Sequence, residues 1–201
     1  MVGPHIILRG IIASTRDAFL GPAPSQAADA VGLRVEVETL SQTEVPQIAR
    51  EPDILAVAPV MPMKLVSPFE DRLTSAATAG PTWGVRAVRA DTSPFTGQGI
   101  TVAVLDTGID ATHPAFRDVQ LIQEDFTGEG TGDRDGHGTH CAGTLFGRDV
   151  SGIRIGVARG VERALIGKVL GSQGGSSDQI ARAIQWAVDQ GANVISMSLG
   201  L

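Results

Sequence analysis

Several absences narrow the possibilities for this 201-residue chain before any motif is considered. A single cysteine, Cys141, excludes an internal disulfide framework and gives no reason to place the protein in an oxidising compartment. The 16 basic residues are outnumbered by 22 acidic ones and are scattered along the chain, so the electrostatic footprint of a nucleic-acid binder is missing. No apolar run approaches the roughly 20 residues needed to cross a bilayer, and no membrane partner is expected. The amino terminus, "MVGPHIILRGIIAS", breaks a short apolar run with Pro4, His5 and Arg9. It does not read as a signal peptide, which favours a cytoplasmic over a secreted location.

What is present supports a real core, since 42% of residues are apolar. The chain divides into two regions with different patterning. Residues 1–70 read as a small α+β domain. In it "GLRVEVETL" alternates, with Leu33, Val35 and Val37 on one face, as a half-buried strand does. Thr43 can cap a short helix with Pro46 in its first turn. "DILAVAPVMPMKLV" reads as one further strand, which Pro59 and Pro62 restrict to an edge. Residues 71–82 lie in a stretch rich in small and turn-forming residues and read as an exposed linker.

From residue 83 to 201 strands alternate with helices. "GITVAVLD" is a continuous apolar run ending in an acid, as a central parallel strand is. "HGTHCAGTLFG" opens a helix, and "RALIGKVL" is the next strand. "SSDQIARAIQWAVDQG" is a helix capped by Ser177 or Asp178, with Ile180, Ile184, Ala187 and Val188 facing inward and Gly191 as its stop. "ANVISMSLG" then reads as another buried strand. The fold class is therefore α/β, a doubly wound parallel sheet that looks incomplete, preceded by the small α+β domain.

In such sheets functional groups gather at the carboxyl ends of the strands. Asp106 ends one of them, and an acid following an apolar run is costly unless paired. His137, in "RDGHGTHCAG", is the natural partner if its helix packs beside that strand, with Gly136 and Gly138 allowing close approach. Two rival readings are weaker. A zinc site needs a third protein ligand, and two histidines four apart, not three, is the commoner helical spacing. His5, His113 and His140, taken singly, read as structural. "VLDTG" also occurs in aspartic peptidases, in which two such acids share a proton, but the alternation of strands and helices argues against that all-β class.

"VAVLDTGIDATHP", "GHGTHCAGT" and "NVISMSLG", in this order, resemble the subtilisin-like serine peptidases, the subtilases. "GVARGVERALIGKVL" resembles the segment between them, with Arg159 where a proline is usual. The resemblance covers roughly residues 82 to 201. Cys141 is similar to the thiol beside the site in the proteinase K-like branch, although the favoured reading of it is a small buried helix residue with no chemistry. Residues 5 to 66 resemble the inhibitory propeptide that precedes many such domains.

The resemblance implies an endopeptidase acting on polypeptides, with Asp106 orienting His137 and His137 serving as general base for a serine. It implies that Gly174 and Gly175 on one side, and Ser198, Leu199 and Gly200 on the other, hold the substrate backbone as a strand between strands. It also implies that the chain's own propeptide is an intramolecular inhibitor. No cofactor is required for such chemistry and no metal ligand is assigned. A structural calcium beside "HP" is disfavoured, because Ala115 stands where the family has an acid. The nucleophile of the family lies in a "GTSMA"-like helix start beyond the substrate strand, and no such motif occurs before Leu201. These 201 residues alone are expected to be inactive. The competing non-enzyme reading is an inactive relative whose amino-terminal domain inhibits or chaperones an intact protease.

Overall fold

A computed structural model describes residues 2–11, 32–66 and 79–201. Most of the expected linker, and the expected boundary near residue 70, lie outside the described residues. The chain forms two compact units, Met1–Met61 and Pro62–Leu201.

In the first unit β1 (Val2–Ile11) is the centre of an antiparallel sheet, flanked by β2 (Gly32–Ser41) and, after the short helix α1 (Val45–Ile48), by β3 (Ile54–Pro59). Ile7 and Leu40 are buried in it. Arg9 forks across the sheet to Glu36, Glu51 and Asp53 at 2.7 to 3.0 Å. The alternation of β2 does not give the expected buried face, since Leu33 and Val37 are exposed. As an edge strand β2 pairs with β1 alone, and alternation sets which face a residue takes without supplying anything to cover it. The residue preceding α1 is Glu44, not Thr43, and its carboxylate accepts the N–H and hydroxyl of Ser41.

The single strand expected over "DILAVAPVMPMKLV" is two. β3 ends at Pro59, and β4 (Pro62–Leu65) belongs to the second unit. β4 is also not an edge. It is the middle strand of a small sheet with β10 (Gly175–Ser176) and β12 (Leu199–Gly200), antiparallel to both. Pro62 is tolerated there because it is the first residue of the strand.

The rest of the second unit begins with β5 (Gly80–Pro81), paired to β8 (Ile153–Arg154), and α2 (Trp83–Ala87). Its main sheet has four parallel strands in the order β11 (Val194–Ser196), β6 (Thr101–Asp106), β9 (Arg163–Lys168) and β7 (Gln120–Asp125). Strand β7 has no counterpart in the sequence expectations, because "QLIQED" carries charge and amide at an edge and lacks a continuous apolar run. "ANVISMSLG" also divides: β11 joins the main sheet, and β12 leaves it for β4.

Helices cover both faces of this sheet. Val102 and Val104 of β6 pack with α3 (His137–Phe146), together with Ala142, Phe146 and the Phe116 of a single 3-10 turn. The intervening Ala103 and Leu105 face α4 (Ser177–Asp189) and meet Ile180, Ala183 and Ala187. Period two in the strand thus splits one apolar run between two cores. The cap of α4 is Ser176, one residue before those expected, with its N–H donated to the Gln179 side chain at 2.9 Å. Val188 is exposed and Ala183 is buried. At about 100° per residue, positions 180, 183, 184 and 187 share one stripe, and 188 lies at its margin.

Phe146 is fully buried against Phe116, with ring centroids 5.5 Å apart. Phe146→Ala is expected to cost about 3 to 5 kcal/mol, measured as a lowered denaturation midpoint.

Candidate active site

Asp106 is the last residue of β6 and is 1% exposed. One carboxylate oxygen, Oδ1, accepts the Thr107 backbone N–H at 2.8 Å and faces His137 Nδ1 at 2.7 Å. A carboxylate can only accept, so Nδ1 carries a proton, and in the neutral ring Nε2 is the nitrogen left with the lone pair. The other oxygen, Oδ2, is buried without a partner among the described residues. The imidazole, 11% exposed, is the one side chain hydrogen-bonded to this desolvated acid among the described residues.

His137 is the first residue of α3, and the start of that helix is fixed by a second carboxylate that the sequence patterns did not single out. Asp133 Oδ1 accepts the Thr107 hydroxyl and the N–H groups of Asp135 and Gly136, at 2.9 to 3.0 Å. Its Oδ2 accepts the Thr139 N–H and hydroxyl at 2.9 and 2.6 Å. Burial pushes this carboxyl up, but the bonds from Thr139, Gly136 and Thr107 outweigh burial and hold it below the usual carboxylate range. No capping pattern pointed to it: the N-cap position is Gly136, which has no side chain, and Asp133 serves the Thr139 N–H from three residues further upstream.

Thr107 is shared between the two acids' surroundings. Its hydroxyl donates to Asp133 and accepts the Gly138 N–H at 2.9 Å. The two glycines act differently from one another. Gly136 has φ of 94°, a turn that favours glycine. Gly138 permits contact, because a Cβ there would sit 2.3 Å from Gly108 O. Lys168, 2% exposed at the end of β9, donates to Gly132 O at 2.9 Å and ties the loop before Asp133 to the sheet.

Cys141, one turn after His137, places its sulfur 3.7 and 3.9 Å from Nδ1 and Nε2. Its thiol donates to Ser198 Oγ at 3.6 Å, and burial pushes the thiol pKa up. The cysteine thus touches the imidazole, which the reading of it as an idle helix residue did not anticipate. Asp106, His137 and Cys141 each bring one donor atom within 4.8 Å of the others.

The expected substrate residues converge on one strand. Leu199 and Gly200 pair with Leu65 and Lys64, and Ser198 O accepts the Val66 N–H at 3.1 Å. On the opposite side Gly175 pairs with Met63, with Gly174 beside it in a tight turn closed by the Gly171–Gly174 bridge. His113 and His140 lie apart from this, in an apolar cavity of about 730 Å³ that Trp83 and Ile155 also line. His113 caps the 3-10 turn at Pro114–Phe116 by accepting the Ala115 N–H, and His5 bonds to Gly3 O.

Fold and site together define a class: an α/β protein with a buried acid–imidazole pair at the carboxyl edge of a doubly wound sheet. Residues 97–201 match the Subtilase family. The chain is 43% identical over 112 residues to the major intracellular serine protease of Bacillus subtilis, a match covering 52% of this chain and 35% of that one. It is 37% identical over 172 residues to the alkaline protease of Alkalihalobacillus alcalophilus, covering 82% and 43%. With subtilisin Savinase of Lederbergia lenta it shares 42% over 123 residues, covering 59% and 45%. The chain belongs to the subtilase family. It spans less than half the length of these relatives. The aspartic-peptidase reading of "VLDTG" is set aside by the family and by the parallel sheet.

Asp133 supplies a test of the site's framework. Its pKa is lowered by folding, so its stabilisation is present above the unfolded value of about 3.9 and is lost as pH falls through the folded one. Asp133→Asn is expected to flatten the fall in thermal midpoint between about pH 5 and pH 2. Asp133→Ala should cost about 2 to 3 kcal/mol at neutral pH, through donors left without their charged acceptor.

Proposed function

We propose that this chain carries the acid and the base of a serine endopeptidase, with the nucleophilic serine supplied by sequence outside these 201 residues. The observation that carries the reading is the 2.7 Å bond from a fully buried strand-end carboxylate to His137 Nδ1. That bond fixes the tautomer in which Nε2 can accept a proton. Asp106 orients the ring and stabilises the imidazolium; His137 takes the proton of the serine hydroxyl and returns it to the leaving amine. The substrate is a polypeptide, held in extended form between Gly174–Gly175 and Ser198–Gly200. No cofactor enters these steps.

On the same reading, residues 1–70 are an intramolecular inhibitor. Its support is continuity of the chain: β3 is followed within two residues by β4, and β4 fills the place between β10 and β12 that a substrate strand would take. The name of the Bacillus subtilis relative favours a cytoplasmic location. Among the described residues no helix is long and apolar enough to cross a membrane.

The test uses a chain extended through the serine-bearing segment. It should cleave an unstructured protein and be silenced by a serine-directed phosphonate, whereas the 201 residues alone should do neither. His137→Ala is expected to lower turnover on the order of 10⁶-fold, as loss of the base does in subtilisin itself. Asp106→Asn should lower it by about 10⁴-fold through the wrong tautomer. An extended chain that is inert when folded would favour the non-enzyme reading. Residues 1–70, added in trans and folded by circular dichroism, should inhibit the processed enzyme, and less so without the last residues of the tail.

A further inference from the structure

The two edges that would hold a substrate strand are built differently. Ser198–Gly200 follows closely on β11 of the main sheet. The facing edge is "GSQGG", residues 171–175, in which the glycines have no side chain to pack and Ser172 and Gln173 are exposed. Glycine loses more backbone freedom on ordering than any other residue, so such an edge needs a restraint from outside itself. Among the described residues one side chain is hydrogen-bonded to it. The Glu129 carboxylate accepts the Ser172 N–H at 3.0 Å and the Ser172 hydroxyl at 2.8 Å. It also lies so close over Gly171 that a Cβ there would sit 2.7 Å from Oε1. Gly171 and Gly174 exchange hydrogen bonds of 2.9 and 3.0 Å, so fixing one end of this turn fixes the other. Gly175, the next residue, is the one that pairs with Met63.

Glu129 is itself held in place. In the loop after β7 the Asp125 carboxylate accepts the Thr127 N–H and hydroxyl at 2.8 and 2.7 Å, and the Gly130 N–H at 2.6 Å. The Thr127 hydroxyl oxygen in turn accepts the Glu129 N–H at 3.2 Å. Hydrogen bonds from Ser172 hold the Glu129 carboxyl below its usual range, and the positive charges of Lys168 and Arg134 act in the same sense. The group is therefore ionised wherever an imidazole can act as a base. Further along, the same loop is fastened to Lys168 through Gly132 O and reaches Asp133, which fixes the start of α3.

We propose that Glu129 is a positioning residue for the substrate, acting through Ser172 to hold the Gly171–Gly175 edge in the form with which a bound peptide pairs. The proposal rests on the peptidase reading above and adds to it a carboxylate outside the acid–base pair. An edge ordered in advance spares a bound peptide the cost of ordering it, so its loss is felt by substrates long enough to pair along it. The loop between β7 and α3 then sets the substrate edge through Glu129 and the base through Asp133.

The test uses the extended, processed chain and two thiobenzyl esters, succinyl-tetra-alanine and acetyl-alanine. The first reaches along both edges and the second does not. Glu129→Ala is expected to lower the ratio of kcat/KM for the long ester to that for the short one by about 10-fold, the effect of losing one hydrogen bond to a charged group. Gly171→Ala should do the same by pushing the carboxylate aside. What it displaces is the end of a flexible side chain, so its thermal midpoint should stay within about 3 °C of the parent. A ratio unchanged in either variant overturns the proposal. An extended chain inert toward both esters removes the peptidase reading, and the positioning is then read from amide hydrogen exchange in the 201-residue chain. There Glu129→Ala should speed exchange of the Gly174 N–H, which is bonded to Gly171 O, by at least about 10-fold and leave that of Leu165 in β9 unchanged. An unaltered Gly174 rate refutes it.

Discussion

A carboxylate at the end of a buried strand is a constraint that the neighbouring elements must satisfy. Asp106 has its Oδ1 served by one backbone N–H and one imidazole, and its Oδ2 by nothing among the described residues. The imidazole must therefore be held firmly, and α3 has to begin where His137 can reach the strand. The Asp133 carboxylate gathers the turn before the helix and the hydroxyl of Thr107, the residue next to Asp106. Acid and base are thus positioned by a single polar network, in which Thr107 is the bridge between strand and helix.

The close packing that this needs is bought with side-chain volume. Gly138 brings the first turn of α3 onto Gly108 O, a distance that any Cβ would forbid. Just past that turn Cys141 fills the space between the imidazole and Ser198. Because Ser198 belongs to the segment that also pairs with the tail, the thiol connects the proton-transfer group with the strand edge. Packing, hydrogen bonding and the candidate chemistry converge there within one helical turn.

The small sheet β10–β4–β12 shows how little specific sequence is needed to hold an extended segment. Backbone pairing to both neighbours fixes the register, and two inward apolar side chains, Met63 and Leu65, anchor it. Such an arrangement recognises a strand by its main chain and selects weakly by its side chains. The same economy explains why Pro62 is compatible with a middle strand: as the first residue it gives up a donor where pairing is only beginning.

Local pattern determined much of this protein. The apolar run ending in Asp106, the glycine-flanked His137 and the periodicity of α4 depend on neighbours within a few residues, so the strand, the helix start and the pairing of Asp106 with His137 were legible from composition and spacing. Tertiary structure decided what lies opposite what. It exposed Leu33 and Val37 on an edge strand, divided "ANVISMSLG" between two sheets, and built β7 from a segment with no clear alternation. It also gave Asp133 and Lys168 their roles, because a carboxylate's value depends on which donors the fold brings to it. Periodicity tells a residue which way to face; only the packed chain supplies the partner on that side.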